Sequence, residues 1–204
     1  YLLVSDYKSS HRDIDPTRLW YGLQLQLLLY LQAACEGLDG NPAGAFYFTM
    51  KDPMVDTADV KEAAEKAIAK KLHVNGLVLA DVDVVEALDS EPGYSFTKIF
   101  NADCSVASSS DGYTPEEMAA LLAHAKKMAA ELADRIRSGE ITPSPAVIRD
   151  WNACQWCDCA GVCKLDTSIP GHEKRELPPL SKQELLTRMA NDTDAPGNEE
   201  DTSP

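Results

Sequence analysis

Long apolar runs are missing from this 204-residue chain, and its most hydrophobic stretch, Leu23 to Leu31, is interrupted by Gln24 and Gln26. A bilayer-spanning helix needs about 18 or more consecutive apolar residues, so transmembrane readings are excluded. Basic residues are scarce as well. Lys and Arg number 19 against 33 Asp and Glu, a formal net charge of −14, and a field of that sign repels a polyanion, which argues against an autonomous nucleic-acid binder. A glycine-rich phosphate loop with its lysine is absent, so ATP hydrolysis through that motif is excluded. No secretory leader and no internal repeat are found. Six cysteines are too few for a disulfide-dense miniature fold and point to a reducing, cytoplasmic setting.

What is present is ordinary globular material, 44% hydrophobic and 25% charged, which argues against a wholly disordered chain. The length suits one domain with a tail, or two small ones. The expected division is a core over residues 1–150, a cysteine-bearing segment over 151–178 and an acidic, disordered tail over 179–204, where Asp192, Asp194, Glu199, Glu200 and Asp201 lie among Pro, Gly, Thr and Ser. The chain opens without Met inside the apolar run Tyr1-Leu2-Leu3-Val4. That run reads as a buried strand, so a fragment with a sheet neighbour further upstream is expected.

Asp15-Pro16 supplies an N-cap and a first helical residue, and Leu19, Leu23, Leu27 and Leu31 then recur at helical steps. A single helix to about Ala34 is predicted, with Gly37 near its stop. Gly44 to Thr49, bounded by Pro42 and Pro53, reads as the next strand. Strand, helix and strand suggest an α/β core. Thr57 to Leu72 resembles an amphipathic surface helix, whereas residues 76–88 suit a strand or a helix equally. Thr114-Pro115-Glu116-Glu117 predicts the start of a long helix running to about Ser138 and stopped by Gly139.

Three motifs carry chemistry. In Asp6-Tyr7-Lys8 the period of a strand turns Asp6 and Lys8 to one face. A carboxylate there can hold a divalent ion while the ammonium orients a water and offsets charge on a phosphorane-like transition state. Taken alone, Asp-x-Lys more often marks a solvated strand end. In Gly22-x-x-x-Gln26-x-x-x-Tyr30 the three residues share a helical face. Gln26 is an odd choice for plain core, because burying an amide without partners is costly, although a satisfied core amide is the blander account. Cys154-x-x-Cys157-x-Cys159-x-x-x-Cys163 places four thiols within ten residues. Soft thiolates select zinc or iron–sulfur clusters, and the absence of a second separated Cys-x-x-Cys knuckle tilts the reading toward a cluster. Cys35 and Cys104 are expected to be small core residues. His11 draws notice only because it follows the Asp6–Lys8 pair.

Together, the strand ending in Asp6-Tyr7-Lys8, the Gly22, Gln26 and Tyr30 series and the distal cysteines resemble the RecB-type nucleases of the PD-(D/E)xK superfamily. Their iron–sulfur branch fits best, in particular the nuclease domains of the B subunits of AddAB-type helicase-nucleases. Trp20 to Leu31, Pro42 to Phe48 with Lys51-Asp52-Pro53, and Gly76 to Asp81 add to the likeness, which spans about residues 1–178. The resemblance implies an α/β restriction-endonuclease-like core, a mixed sheet flanked by helices. It assigns Asp6 as a Mg2+-binding carboxylate, Lys8 as the catalytic lysine, and Gln26 and Tyr30 as supports for the site and the DNA strand. It makes Cys154, Cys157 and Cys163 three ligands of a [4Fe-4S] cluster, with Cys159 an extra. A first metal-binding Asp and the fourth cluster cysteine are then expected outside this chain. The implied activity is deoxyribonuclease action at broken DNA ends in recombinational repair. Its partners would be DNA and the A subunit of a helicase-nuclease heterodimer, with no membrane. DNA delivered by the motor parts would reconcile the acidic charge with such a substrate. The rival readings are a cluster-bearing binding module with a degenerate nuclease centre, and a free-standing nuclease of the CRISPR-adaptation type. Residues 43–53 and 76–81 favour the helicase-linked form.

Overall fold

The computed structural model describes residues 1–50, 74–88, 99–107 and 110–193. Strand β1 (Leu2–Lys8) alternates half-buried and exposed positions, with Leu2, Val4, Asp6 and Lys8 turned inward. It pairs in parallel with β2 (Pro42–Thr49), which pairs antiparallel with β3 (Asn75–Leu79), and β3 pairs in parallel with the short β4 (Gly112–Tyr113). The expected mixed sheet, with the first two predicted strands adjacent, is therefore present in the order β1-β2-β3-β4. Helix α2 (Gln26–Leu38) packs on β1 and β2 through the buried Leu27, Leu28 and Leu31.

The helix predicted from Pro16 to about Ala34 is broken in two. Asp15 caps α1 (Pro16–Trp20), its carboxylate accepting from Thr17 N at 2.8 Å. The chain then leaves the helical path through Tyr21, with Gly22 at φ +74°, and resumes at Gln26. A side chain at Gly22 would be strained in that conformation, and its Cβ would lie 2.8 Å from Met128 Cγ. Gln24 stabilises the break by donating to Asp13 O at 2.8 Å and accepting from Asp15 N at 2.9 Å. Leucine periodicity continues through the break, which is why the sequence alone conceals it.

Residues 76–88 combine both predicted states. Strand β3 ends at Leu79, and Asp81 accepts from Asp83 N and Val84 N to start α3 (Val82–Leu88). Helix α4 (Pro115–Arg137) begins with the expected capping box between Thr114 and Glu117. It buries Met118, Leu121 and Ala125 and gives way to Gly139 at φ +77°. A smaller sheet of β5 (Ala146–Ile148), β6 (Trp151–Asn152) and β7 (Arg175–Glu176) follows in the order β6-β5-β7. The short helix α5 (Ala160–Cys163) lies between β6 and β7. The predicted helix over Thr57 to Leu72 falls outside the described residues, as do residues 51–53 of the family-like stretch.

Two expectations need correction. Cys104 is exposed at φ +63°, not core, whereas Cys35 is half-buried against the main core. Residues 179–193, expected within a disordered tail, form helix α6 (Lys182–Thr193) and its lead-in, docked with Leu180, Leu185 and Met189 buried. Leu180 N donates to the buried Thr17 Oγ1 at 2.9 Å. Lys182 Nζ donates to Ser110 O and Gly112 O and lies 4.1 Å from the centroid of the Tyr113 ring. Burial lowers the Lys182 pKa, against the opposing pull of Glu117 and Asp111. The acidic composition masked three apolar anchors that only their spacing on the core reveals. Residues 194–204 lie outside the described part. No helix among the described residues is long and apolar enough to cross a membrane.

Leu185 has no exposed surface, so Leu185→Ala should lower unfolding free energy by about 2–5 kcal/mol. Chemical denaturation measures the loss; an unchanged midpoint would mean that α6 is not part of the folded unit.

Candidate active site

At the C-terminal end of β1, strand alternation places Asp6 and Lys8 on the face covered by α2. Lys8 Nζ lies 2.7 Å from Asp6 Oδ2 and donates to Gln26 Oε1 at 3.4 Å. Gln26 Nε2 in turn donates to Tyr30 Oη at 3.1 Å, one turn along α2. Four of the residues singled out in the sequence thus form one connected row, Asp6, Lys8, Gln26 and Tyr30. The row runs from a partly buried carboxylate to a phenol that is 52% exposed, so one end is shielded and the other meets solvent. Gly22 does not join it. The break before α2 removes Gly22 from the face of Gln26 and places it in a separate cleft with Trp20, His124 and Met128.

Asp6 Oδ2 is buried and charge-paired with Lys8 Nζ at 2.7 Å, with no further hydrogen-bond donor on it. A carboxylate is a hard oxygen donor of the kind a divalent cation takes. The donor chemistry therefore fits Mg2+ at Asp6. Among the described residues no three His, Cys, Asp or Glu side chains gather to hold a metal. A Mg2+ at Asp6 would draw its other ligands from water or from groups beyond these residues, which suits an ion that keeps several waters.

Register across the sheet adds residues that the sequence did not mark. Asp6 sits opposite Tyr47, and Tyr47 opposite Asn75, so the three side chains share a face. The Tyr47 ring lies beneath the ammonium, with Lys8 Nζ 5.7 Å from its centroid. Asn75 Nδ2 is 3.3 Å from His11 Nδ1, and His11 Nε2 is 2.9 Å from Asp13 Oδ1. Tyr47 reads in sequence only as part of an aromatic strand, since nothing local says which strand lies beside β1.

The cysteines follow β6. Asn152 accepts from Cys154 N at 2.9 Å to start a 3-10 turn over Ala153–Trp156. Cys157 N donates to Cys154 O at 3.3 Å, and Cys163 N to Cys159 O at 2.8 Å. Cys154, Cys157, Cys159 and Cys163 are all exposed, and Trp156 and Val162 are 82% and 89% exposed. The apolar support beneath the segment is small, Ala146, Ile148 and Leu177 with Tyr21 and Trp151. Backbone turns thus bring the thiols near one another in sequence order without gathering three of them at a point. Their chemistry fits a soft metal or an iron–sulfur cluster.

A mixed sheet with an Asp-x-Lys strand end braced by a glutamine from the packed helix has the layout of a nuclease-type site. The PD-(D/E)XK nuclease superfamily pattern matches residues 1–164, and the chain belongs to that superfamily. Among similar proteins, the B subunit of the ATP-dependent helicase/deoxyribonuclease of Alkaliphilus metalliredigens is 31% identical over 203 residues, 95% of this chain and 18% of that protein. The protein of the same name from Clostridium tetani is 34% identical over 197 residues, 91% of this chain and 17% of its own length. That from Moorella thermoacetica is 39% identical over 188 residues, 87% and 16% respectively. The chain spans less than a fifth of the length of these curated relatives.

Gln26 holds Lys8 and Tyr30 at once, while its own side chain is not core. Gln26→Ala should lower DNA cleavage by the full-length enzyme roughly 10- to 100-fold, the usual cost of losing an orienting partner, with little change in melting temperature. A wild-type rate would show that the row is not part of the working site.

Proposed function

We propose that this chain is the nuclease domain of the B subunit of an ATP-dependent helicase/deoxyribonuclease, cutting one DNA strand at broken ends during recombinational repair in the cytoplasm. The observation that carries the reading is the connected row Asp6, Lys8, Gln26 and Tyr30. Mg2+, when bound, supplies Lewis-acid polarisation of the scissile phosphate and of a water. Asp6 contributes one carboxylate ligand, and a second acidic ligand comes from the remainder of the parent polypeptide.

The rest of the mechanism belongs to the chain's own side chains. Lys8 Nζ, held between the Asp6 carboxylate and the Gln26 amide oxygen, presents a proton not used by Gln26 to the attacking water and offsets negative charge on the pentacovalent phosphorus. Gln26 fixes the ammonium from the helix side. The Tyr30 hydroxyl, at the exposed end of the row, contacts the DNA strand. No charge field of this acidic domain needs to attract DNA, because the helicase portions and the A subunit deliver it. Cys154, Cys157 and Cys163 hold a [4Fe-4S] cluster with a fourth cysteine from elsewhere in the parent chain, so that the cluster staples the β5–β7 segment to a distant part of the protein. Cys159 stays outside the ligand set.

In the two-subunit enzyme, Asp6→Ala and Lys8→Ala should each abolish cleavage of one strand, while both variants still unwind DNA and hydrolyse ATP. Loss of cleavage on both strands, or on neither, would overturn the assignment. For the cluster, iron content and visible absorbance should vanish in Cys163→Ser and persist in Cys159→Ser. Equal loss in both variants would place Cys159 among the ligands, and stoichiometric zinc without iron would overturn the cluster itself.

A further inference from the structure

The loop over residues 9–15, between β1 and α1, is irregular yet tied down at alternate residues. His11 is bracketed by Asp13 Oδ1 at 2.9 Å and Asn75 Nδ2 at 3.3 Å. An amide nitrogen can only donate, so His11 Nδ1 accepts and Nε2–H donates to Asp13. Gln24 holds the same loop from the other side, at Asp13 O and Asp15 N. Both acidic groups of the loop are engaged: Asp13 faces His11, while Asp15 caps α1 at Thr17 N and lies 3.8 Å from Arg18 Nε. Arg12, between the two tethered residues, is exposed and has no hydrogen-bond or ion-pair partner among the described residues. With no partner among the described residues, this guanidinium is a positive charge in a chain of net charge −14.

Its position matters because His11 reaches Asn75, which stands in the row Asp6, Tyr47, Asn75 across three neighbouring strands. Two strand spacings set Asn75 about 10 Å from Asp6, a span of about three nucleotides at the ~3.4 Å rise of a stacked strand. Arg12 therefore belongs to a loop whose His11 tether is anchored about 10 Å from Asp6.

We propose that Arg12 is a DNA-backbone contact, its guanidinium binding a phosphate of the cut strand within about three nucleotides of the scissile bond, with His11 the positioning residue that fixes its loop. The inference rests on the nuclease reading and extends it to a phosphate subsite. Arg suits this task because its fork meets two phosphate oxygens at once.

The test uses the full-length two-subunit enzyme and single-stranded oligonucleotides carrying one neutral methylphosphonate at each position around the cut. Arg12→Ala should lower kcat/KM on the natural strand roughly tenfold, the scale of one charge-assisted contact, and Arg12→Lys less. One methylphosphonate position should cost the wild type a similar factor and cost Arg12→Ala nothing further. His11→Ala should reduce the rate while keeping sensitivity at that position. A wild-type rate in Arg12→Ala, or undiminished sensitivity in it at every position, would overturn the subsite while Asp6→Ala still abolished cleavage. Full cleavage by Asp6→Ala would instead remove the nuclease reading on which the subsite depends.

Discussion

The 2.7 Å approach of Lys8 Nζ to the Asp6 carboxylate is the constraint around which the rest of the site is arranged. Drawing two unlike charges into a half-buried sheet end costs desolvation that their mutual attraction must offset. Here the pair is in contact, and its neighbours fix where it sits. Gln26 Oε1 takes one ammonium proton, the Tyr47 ring lies beneath the ammonium, and Asp6 Oδ2 has no further hydrogen-bond donor on it. The pair is thereby fixed at the end of β1, beside α2. Such preorganisation costs folding energy locally and is repaid by the apolar packing of α2 on β1 and β2 through Leu27, Leu28 and Leu31.

That packing depends on the break before α2. Had α1 run straight into α2, Gln26 would have followed the axis set by Pro16. The Gly22 turn and the two bonds from Gln24 instead let α2 lie on the sheet with Gln26 over Lys8, and the same bonds tie the 9–15 loop. One glutamine therefore serves both the helix that braces the lysine and the loop that carries Arg12. The other end of the molecule is closed by α6, whose lead-in binds Thr17 and whose Lys182 caps the carbonyls beside β4. Residues far apart in the chain thus hold α1 from both sides.

The cysteine segment follows a different logic. Its turns are satisfied locally by Asn152 and by bonds within the segment, yet its thiols, Trp156 and Val162 stand exposed over a core of three buried residues. So small an apolar support contributes little stability, and a segment of that kind gains rigidity mainly from what its ligands bind. The family match over residues 1–164 takes in both the nuclease core and this segment.

Local chemistry alone determined a good deal of this protein. The period of a strand sets Asp6 and Lys8 on one face whatever lies beside it, four-residue spacing brings Gln26 to Tyr30 within one turn, and the Thr114–Glu117 capping box starts α4 where the sequence predicts. Each of these is an interaction between residues close in the chain, so the sequence carries it in full. Tertiary structure decided the remainder. Leucine periodicity could not show that Gly22 turns out of the helix, nor that Met128, more than a hundred residues away, packs where a Cβ at Gly22 would lie. Acidic composition could not show that Leu185 and Met189 find a core, and no local pattern could align Tyr47 and Asn75 with Asp6. Those outcomes depend on which strand or helix becomes a neighbour, and that is settled only when the apolar faces close on one another.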